Sequence, residues 1–363
     1  MHMADALLSP AVGGTLWAVS AGTIAYCSKK IRTEADERRI PRMGILGAFI
    51  FAAQMINFTI PITGSSGHLG GGLILSILLG PYAAFLTIAS VLVVQALFFA
   101  DGGLLALGCN IFNLGFCPAF IAYPLVYKNI VGSAPSSAKI TIASMTAAII
   151  GLQMGAFWVV LETTASGISA LPFWTFMLMM QPIHLAIGVV EGLVTASIVS
   201  FIYKANPSIL QYSMETCPIA TFPMRDFALT FLAAALVAGG FGSWFASTKP
   251  DGLEWSITRI TGKEKLKGSE QGIYGSLAAL QEKLSFLPDY AFRTPKDSKP
   301  SEKRQSQLAW NEQESKEKKS ERSRLGKSIS GIAGGTLTLV LSLLIGFALK
   351  SRNRPPERRD DVS

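Results

Sequence analysis

The stretch Phe173–Tyr203, FWTFMLMMQPIHLAIGVVEGLVTASIVSFIY, decides the fold. It carries one formal charge, Glu191, and no lysine or arginine. About 20 apolar residues of helix cross the hydrocarbon of a bilayer, so a run this long reads as a transmembrane helix. Two polar side chains inside it, His184 and Glu191, stand seven residues apart, about two helical turns, and therefore share one face. Polar groups within a bilayer turn toward the bundle and need partners. This pair has two readings: a helix–helix hydrogen bond, or a supporting role beside a metal or along its path.

Eight further apolar runs flank this one: Pro10 to Cys27, Met43 to Ile60, Leu69 to Leu79, Tyr82 to Ala100, Leu104 to Tyr127, Ile140 to Leu161, Phe227 to Phe245 and Ile329 to Leu349. Leu69–Leu79 is too short for an ordinary span and begins among glycines, which suggests a strongly packed half-helix giving way to a loop. Of 363 residues, 50% are hydrophobic and only 15% charged, a balance that excludes a soluble domain and fits several membrane spans. The net charge of +8 is placed outside the apolar runs, so it reads as a topology signal and not as a nucleic-acid surface. The four cysteines, Cys27, Cys109, Cys117 and Cys217, form no Cys-x-x-Cys pair and read as small packing residues.

Orientation comes from the short loops. Lys29, Lys30, Arg32, Arg38, Arg39 and Arg42 place the first loop in the cytoplasm and the amino terminus outside. Lys128 with Lys139, Lys204 with Arg225, and the tail from Lys350 then also fall inside, whereas Pro61–Gly67, Asp101–Gly103 and Glu162–Pro172 lack lysine and arginine. Nine spans with the carboxyl terminus in the cytoplasm fit every short loop. No basic residue precedes Lys29 and an acid stands at Asp5, so the start is expected to stay uncleaved. The polar segment of about residues 248–327 falls outside. Its first part, with Trp255, Leu266, Leu277 and Leu284, suits a small amphipathic unit, and Lys296–Lys327 is either solvated helix or disordered chain.

Chemistry gathers at the other end. Met1-His2 offers an α-amine, an amide nitrogen and an imidazole Nδ1 on one short piece of chain, which can close two fused chelate rings on one metal ion. An all-nitrogen, tetragonal set suits Ni(II) or Cu(II) better than Mg(II) or Ca(II). Only two other histidines exist, His68 and His184. His68 lies in Gly64-Ser65-Ser66-Gly67-His68-Leu69-Gly70-Gly71-Gly72, on the same predicted outer side, and becomes the obvious fourth nitrogen; the flanking glycines permit close approach. Ser9-Pro10 supplies a cap and first turn for the first helix, letting the residues before it fold back. Gln54, Asn57, Gln95, Asn110, Asn113 and Glu162 are the polar groups available to orient metal-bound imidazoles, with Asn57, Gln95, His184 and Glu191 the candidates for direct support. There is no His-Glu-x-x-His motif, and Glu321–Ser328 lacks the first glycine of a phosphate loop, so any ATP must be bound by another subunit.

Met1-His2, Leu7-Leu8-Ser9-Pro10, Ser66-Gly67-His68-Leu69-Gly70-Gly71, Gln95 to Gly108 and Asn110 to Gly115 together resemble the substrate-specificity subunit of nickel/cobalt energy-coupling-factor transporters. The resemblance covers about residues 1–205. Lys249-Pro250-Asp251-Gly252-Leu253-Glu254-Trp255 resembles the PDGLE domain, a small accessory component of the same systems, here fused on. Two departures stand out: Ala6 occupies a position where the family usually has glycine, and the charged stretch is long for the accessory domain.

The resemblance implies an all-α polytopic membrane protein: a seven-helix binding bundle plus two further transmembrane helices flanking a small extracytoplasmic segment. It divides the chain into the bundle at 1–205, a cytoplasmic linker at 206–225, the accessory domain at 226–350 and a basic tail at 351–363. It also implies a metal held by the Met1 amine, the backbone and ring of His2, and the imidazole of His68. No resident cofactor is expected; the ligand is cargo, Ni2+ first and Co2+ next. The implied partners are a transmembrane coupling subunit, cytoplasmic ATPases and the lipid bilayer of a prokaryotic cell membrane, with no nucleic acid. Two rivals stay open, a secondary carrier working without ATP and a membrane metalloenzyme using His68, His184 and Glu191.

Overall fold

The computed structural model describes residues 2–33, 39–205, 224–263, 266, 271–292 and 308–351. The expected linker at 206–225 therefore falls almost wholly outside the described residues, as do Met1, the first part of Lys296–Lys327 (296–307) and most of the basic tail. Among the described residues the architecture is all-α apart from one short hairpin. Helices α1 (Pro10–Thr33), α2 (Arg39–Gln54), α3 (Gly72–Leu79), α4 (Pro81–Phe99), α5 (Leu107–Val131), α6 (Ser137–Ser166) and α7 (Phe173–Ala205) form the first bundle. The accessory part comprises α8 (Met224–Gly240), α9 (Gly252–Thr261), α10 (Gly272–Leu284) and the long α11 (Leu308–Ser351).

Length and composition qualify six helices to cross a membrane: α4, α5, α6, α7, α8 with its extension to Phe245, and the Arg324–Leu349 part of α11. Each of the nine apolar runs contains a helix, yet three of those helices do not meet that standard. At 1.5 Å per residue α3 is only about 12 Å long and cannot reach across 30 Å of hydrocarbon. All eight of its residues are buried, as a packed half-helix requires. Helix α2 is short and is covered by protein, with α8 and α11 packed along it.

Local chemistry sets the helix ends. Pro10 opens α1, and the Ser9 hydroxyl accepts from the Val12 amide at 3.3 Å. The Ser136 hydroxyl caps α6, whose other end stops at Gly167 in the left-handed region. Asp251 and Glu254 form a reciprocal capping box on α9. In α5 the hydrogen bonding widens to a π-helix over Phe112–Tyr127, where Pro118 and Pro124 each remove an amide donor. Helices α6 and α7 pack side by side along their length, while Leu178, Leu185, Val189 and Leu193 on α7 stay exposed, as a lipid-facing stripe would.

The small hairpin between α2 and α3 holds the start of the glycine loop in place. Strands β1 (Phe58–Thr59) and β2 (Ser66–Gly67) pair antiparallel, and β2 leads directly into His68. The outer edge of β2 is taken by the accessory part: the Ser66 amide donates to the Pro250 carbonyl at 2.8 Å, and Ser66 forms a parallel bridge with Asp251. The expected amphipathic outer unit is thus α9 and α10, seated over the bundle.

Candidate metal-binding site

The residues before α1 run back between the loop after α4 and the glycine loop. Met3 is fully buried. Its amide donates to Asn110 Oδ1 at 2.8 Å, and its carbonyl accepts from the Gly103 amide at 2.9 Å and from Asn110 Nδ2 at 3.3 Å. The Asp5 carboxylate accepts from the Ala106 amide at 2.9 Å. A β-carbon on Gly103 would fall 2.5 Å from the Asp5 amide nitrogen, so glycine is required for this terminus to lie flat against the loop.

These anchors carry His2 to His68. The two imidazoles stack with centroids 5.1 Å apart and planes inclined by 24°. His2 Nε2 lies 3.1 Å from Gln95 Oε1, and its Nδ1 lies 3.6 Å from the Asp101 carboxylate. Gln95 donates in turn to Gln54 Oε1 at 2.8 Å, and Gln54 donates to the Gly70 carbonyl at 2.8 Å, so a chain of carboxamides links the two histidine-bearing segments. His68 Nδ1 is 2.9 Å from the Leu69 carbonyl. A carbonyl can only accept, so Nδ1 carries the proton and Nε2 presents a lone pair. Burial lowers the pKa of both imidazoles, that of His68 to about 3, with the facing His2 ring adding to the effect. Neutral rings are the form a metal needs.

The structure brings together only part of the expected supporting set. Gln95 contacts His2 directly. Glu191 touches neither ring; its carboxylate accepts from the Gly70 and Gly71 amides at 2.7 and 3.1 Å and so pins the glycine loop to α7. His184 Nδ1 bonds to the Met180 carbonyl of its own helix at 2.8 Å. Asn57 lines the space above the rings, and its carbonyl accepts from the Ser247 amide at 2.7 Å. Met1 lies outside the described residues. Among the described residues, no group of three or more histidine, cysteine, aspartate or glutamate side chains is drawn together as a finished metal cage.

Several contributors come from places the sequence did not mark. Asp101 stands in the quoted Gln95–Gly108 stretch, but nothing in its spacing announces that it faces His2. Tyr290 donates its hydroxyl to Asp101 Oδ2 at 2.6 Å from 189 positions away. Gln281 donates to the Ala96 and Gly102 carbonyls at 2.9 and 2.7 Å, and Tyr274 to the Leu8 carbonyl at 2.8 Å. The accessory part thereby touches each loop that holds the site. Together they line an open cavity of about 810 Å3 that reaches His2 and His68. Six acidic residues, from Asp5 and Asp101 on the bundle to Asp251, Glu254, Glu282 and Asp289 on the accessory side, face it against Lys249 and Lys327. Burial alone would raise the Asp251 carboxyl, yet its net shift is downward, helped by the hydrogen bond from the Glu254 amide.

Residues 2–209 match the family described as the cobalt uptake substrate-specific transmembrane region. The chain belongs to that family. Residues 225–351 match the PDGLE domain, so the chain joins a cobalt-uptake region to an accessory domain. A fused nickel transport protein, NikMN, of Rhodobacter capsulatus is 28% identical over 80% of this chain and 88% of its own. The cobalt transport protein CbiM of Sorangium cellulosum is 28% identical over 58% of this chain and 94% of its own. A crystal structure of a truncated transition metal transporter aligns with a TM-score of 0.50 and 28% identity over 56% of this chain and 99% of its own. The cobalt-uptake region and its fused PDGLE domain thus make a nickel/cobalt transport subunit, a multi-pass membrane protein of a metal-transporter family.

Proposed function

We propose that this chain is the substrate-binding and translocation subunit of an ATP-driven energy-coupling-factor importer, with Ni2+ as its cargo ahead of Co2+. In this reading the Met1 amine, the amide and ring of His2, and His68 Nε2 supply four nitrogens, a set that favours nickel in a planar arrangement. The observation that carries it is the stacking of His2 on His68 at 5.1 Å, reached by a terminus fastened through Met3 and Asp5. The nickel transport name of the Rhodobacter capsulatus relative, which shares the fused arrangement, supports the metal. The amino terminus faces outside and the carboxyl terminus the cytoplasm, with the bundle at 1–205, the linker at 206–225, the accessory domain at 226–350 and the tail at 351–363.

The mechanism rests on charge and protonation. An acidic cavity concentrates divalent cations in front of the two rings. Binding displaces protons from the amine and the second amide, since ligands must be deprotonated. ATP hydrolysis by partner subunits, a transmembrane coupling protein and cytoplasmic ATPases, then opens the bundle inward. The test is an equilibrium metal titration of the purified chain. One residue added before Met1, or His68→Ala, is expected to abolish tight binding while the fold persists. Tight binding retained in both variants overturns the site. Uptake that persists after the partner ATPases are deleted identifies a secondary carrier instead.

A further inference from the structure

The three histidines do not all present the same nitrogen. His68 and His184 each aim Nδ1 at a backbone carbonyl, of Leu69 at 2.9 Å and of Met180 at 2.8 Å, so each carries its proton on Nδ1. His2 has to differ. A chelate fused through the Met1 amine and the second amide closes on the nearer ring nitrogen, Nδ1, which must then be a lone pair. The proton of His2 belongs on Nε2, and the partner of Nε2 decides whether it stays there.

That partner is the last member of a chain whose direction is fixed at its far end. The Gly70 carbonyl can only accept, so the Gln54 atom 2.8 Å from it is the amide nitrogen. The Gln54 oxygen is thereby turned to Gln95, which meets it with its own amide nitrogen at 2.8 Å. The Gln95 oxygen is left for His2 Nε2 at 3.1 Å, and Nε2 has to bring the proton. A second anchor agrees: the Tyr290 hydroxyl gives its one proton to Asp101 Oδ2, so toward Gln95, which it also bonds, it can only accept. Turning either buried carboxamide round would set donor against donor and acceptor against acceptor. The competing pull is on the other side of the ring. Asp101 Oδ1 lies 3.6 Å from Nδ1, too far for a hydrogen bond but near enough to draw a proton there once the Gln95 acceptor is gone.

We propose that Gln54 and Gln95 are positioning residues that hold His2 as the Nε2–H tautomer and so keep its Nδ1 lone pair free for the cargo ion. This deepens the transport reading and rests on its ligand set. The relay starts at the Gly70 carbonyl, two residues beyond His68. The loop that carries one imidazole therefore sets the proton on the ring it faces, and a glycine loop out of place leaves His2 unprepared as well.

Nitrogen NMR of the metal-free, full-length chain in detergent, with isotope-labelled histidine, tests this, since the sequence holds only three histidines. Wild type is expected to show two rings protonated on Nδ1 and one, lost in His2→Ala, protonated on Nε2. Gln95→Leu should move the His2 proton to Nδ1, wholly or in part, and weaken Ni2+ binding about tenfold to a hundredfold, while an unchanged His184 signal reports an intact fold. Gln95→Glu keeps an acceptor for Nε2 and gives up the donor to Gln54, so it should keep both the tautomer and tight binding. Gln54→Leu combined with Tyr290→Phe removes both anchors of Gln95 and should mix the His2 tautomers. A His2 proton on Nδ1 in wild type, or a His2 signal unchanged in Gln95→Leu or in the double variant, overturns the relay. Gln95→Glu as impaired as Gln95→Leu would make Gln95 a packing residue only. The tautomer is read without metal, so these outcomes stand apart from the ligand set, which falls if tight Ni2+ binding survives His68→Ala.

Discussion

The two segments that present the imidazoles are held by different means. The amino-terminal segment lies along the α4–α5 loop and is fixed by main-chain groups bonded to Asn110, Gly103 and Ala106. The glycine loop has few side chains of its own to pack, so it is fixed from two sides. Below, Glu191 and Gln54 bond its backbone; above, residues 249–251 of the accessory part bond Ser66. The comparison teaches that His2 is placed chiefly by the bundle, and His68 by bundle and accessory part together.

Removing the lower support of the glycine loop should have the largest effect. Glu191→Ala leaves two buried amides without an acceptor, each costing about 1–3 kcal/mol. A lower melting midpoint in detergent together with lost metal binding is expected, and a variant as stable as wild type would show that the loop holds itself. The amino-terminal side is next. Asn110→Ala removes both side-chain bonds to Met3 and should cost about 2 kcal/mol, read as weaker metal binding with His68 chemistry intact. Equal losses for Co2+ binding and for thermal stability would instead mean that Asn110 serves the bundle as a whole.

Acidity sharpens the comparison in another way. Because the His68 pKa is pushed down to about 3, its ring stays neutral well below neutrality and protons do not compete for it there. The Met1 amine and the second amide must each give up a proton to bind, so affinity should fall with falling pH by about two protons per metal where the amine is protonated and by about one where it is not. A dependence on one proton throughout would remove the amine from the ligand set. The smallest effect belongs to the rim: Tyr290→Phe takes one hydrogen bond from Asp101, which faces His2, and should weaken binding about fivefold, or about 1 kcal/mol. No change in affinity would leave the accessory part a cover without influence on His2.

Much of this was readable in the chain. The helices track the apolar runs because a backbone buried in lipid must satisfy its own hydrogen bonds, and Ser9-Pro10 does start α1. The pairing of His2 with His68 was legible because histidine is so scarce and because glycines flank the second one. Asp101 and Tyr290 were not, since a contact across 189 positions leaves no periodicity to find. His184 and Glu191 share a face of α7 as the spacing requires, yet spacing alone does not say that one bonds a loop and the other a carbonyl of its own helix. The three helices that fall short as spans show the same limit: α2 is encased by α8 and α11, an arrangement decided by partners distant in sequence.

The join between the glycine hairpin and the accessory stretch relies on the Ser66 amide and hydroxyl meeting the carbonyls of Lys249 and Pro250. Main-chain oxygens exist whatever side chains lie there, so much of this seam can change its wording while keeping its grammar. A separate polypeptide with the same backbone course can dock by the same atoms, and covalent fusion then supplies high local concentration in place of tighter contacts.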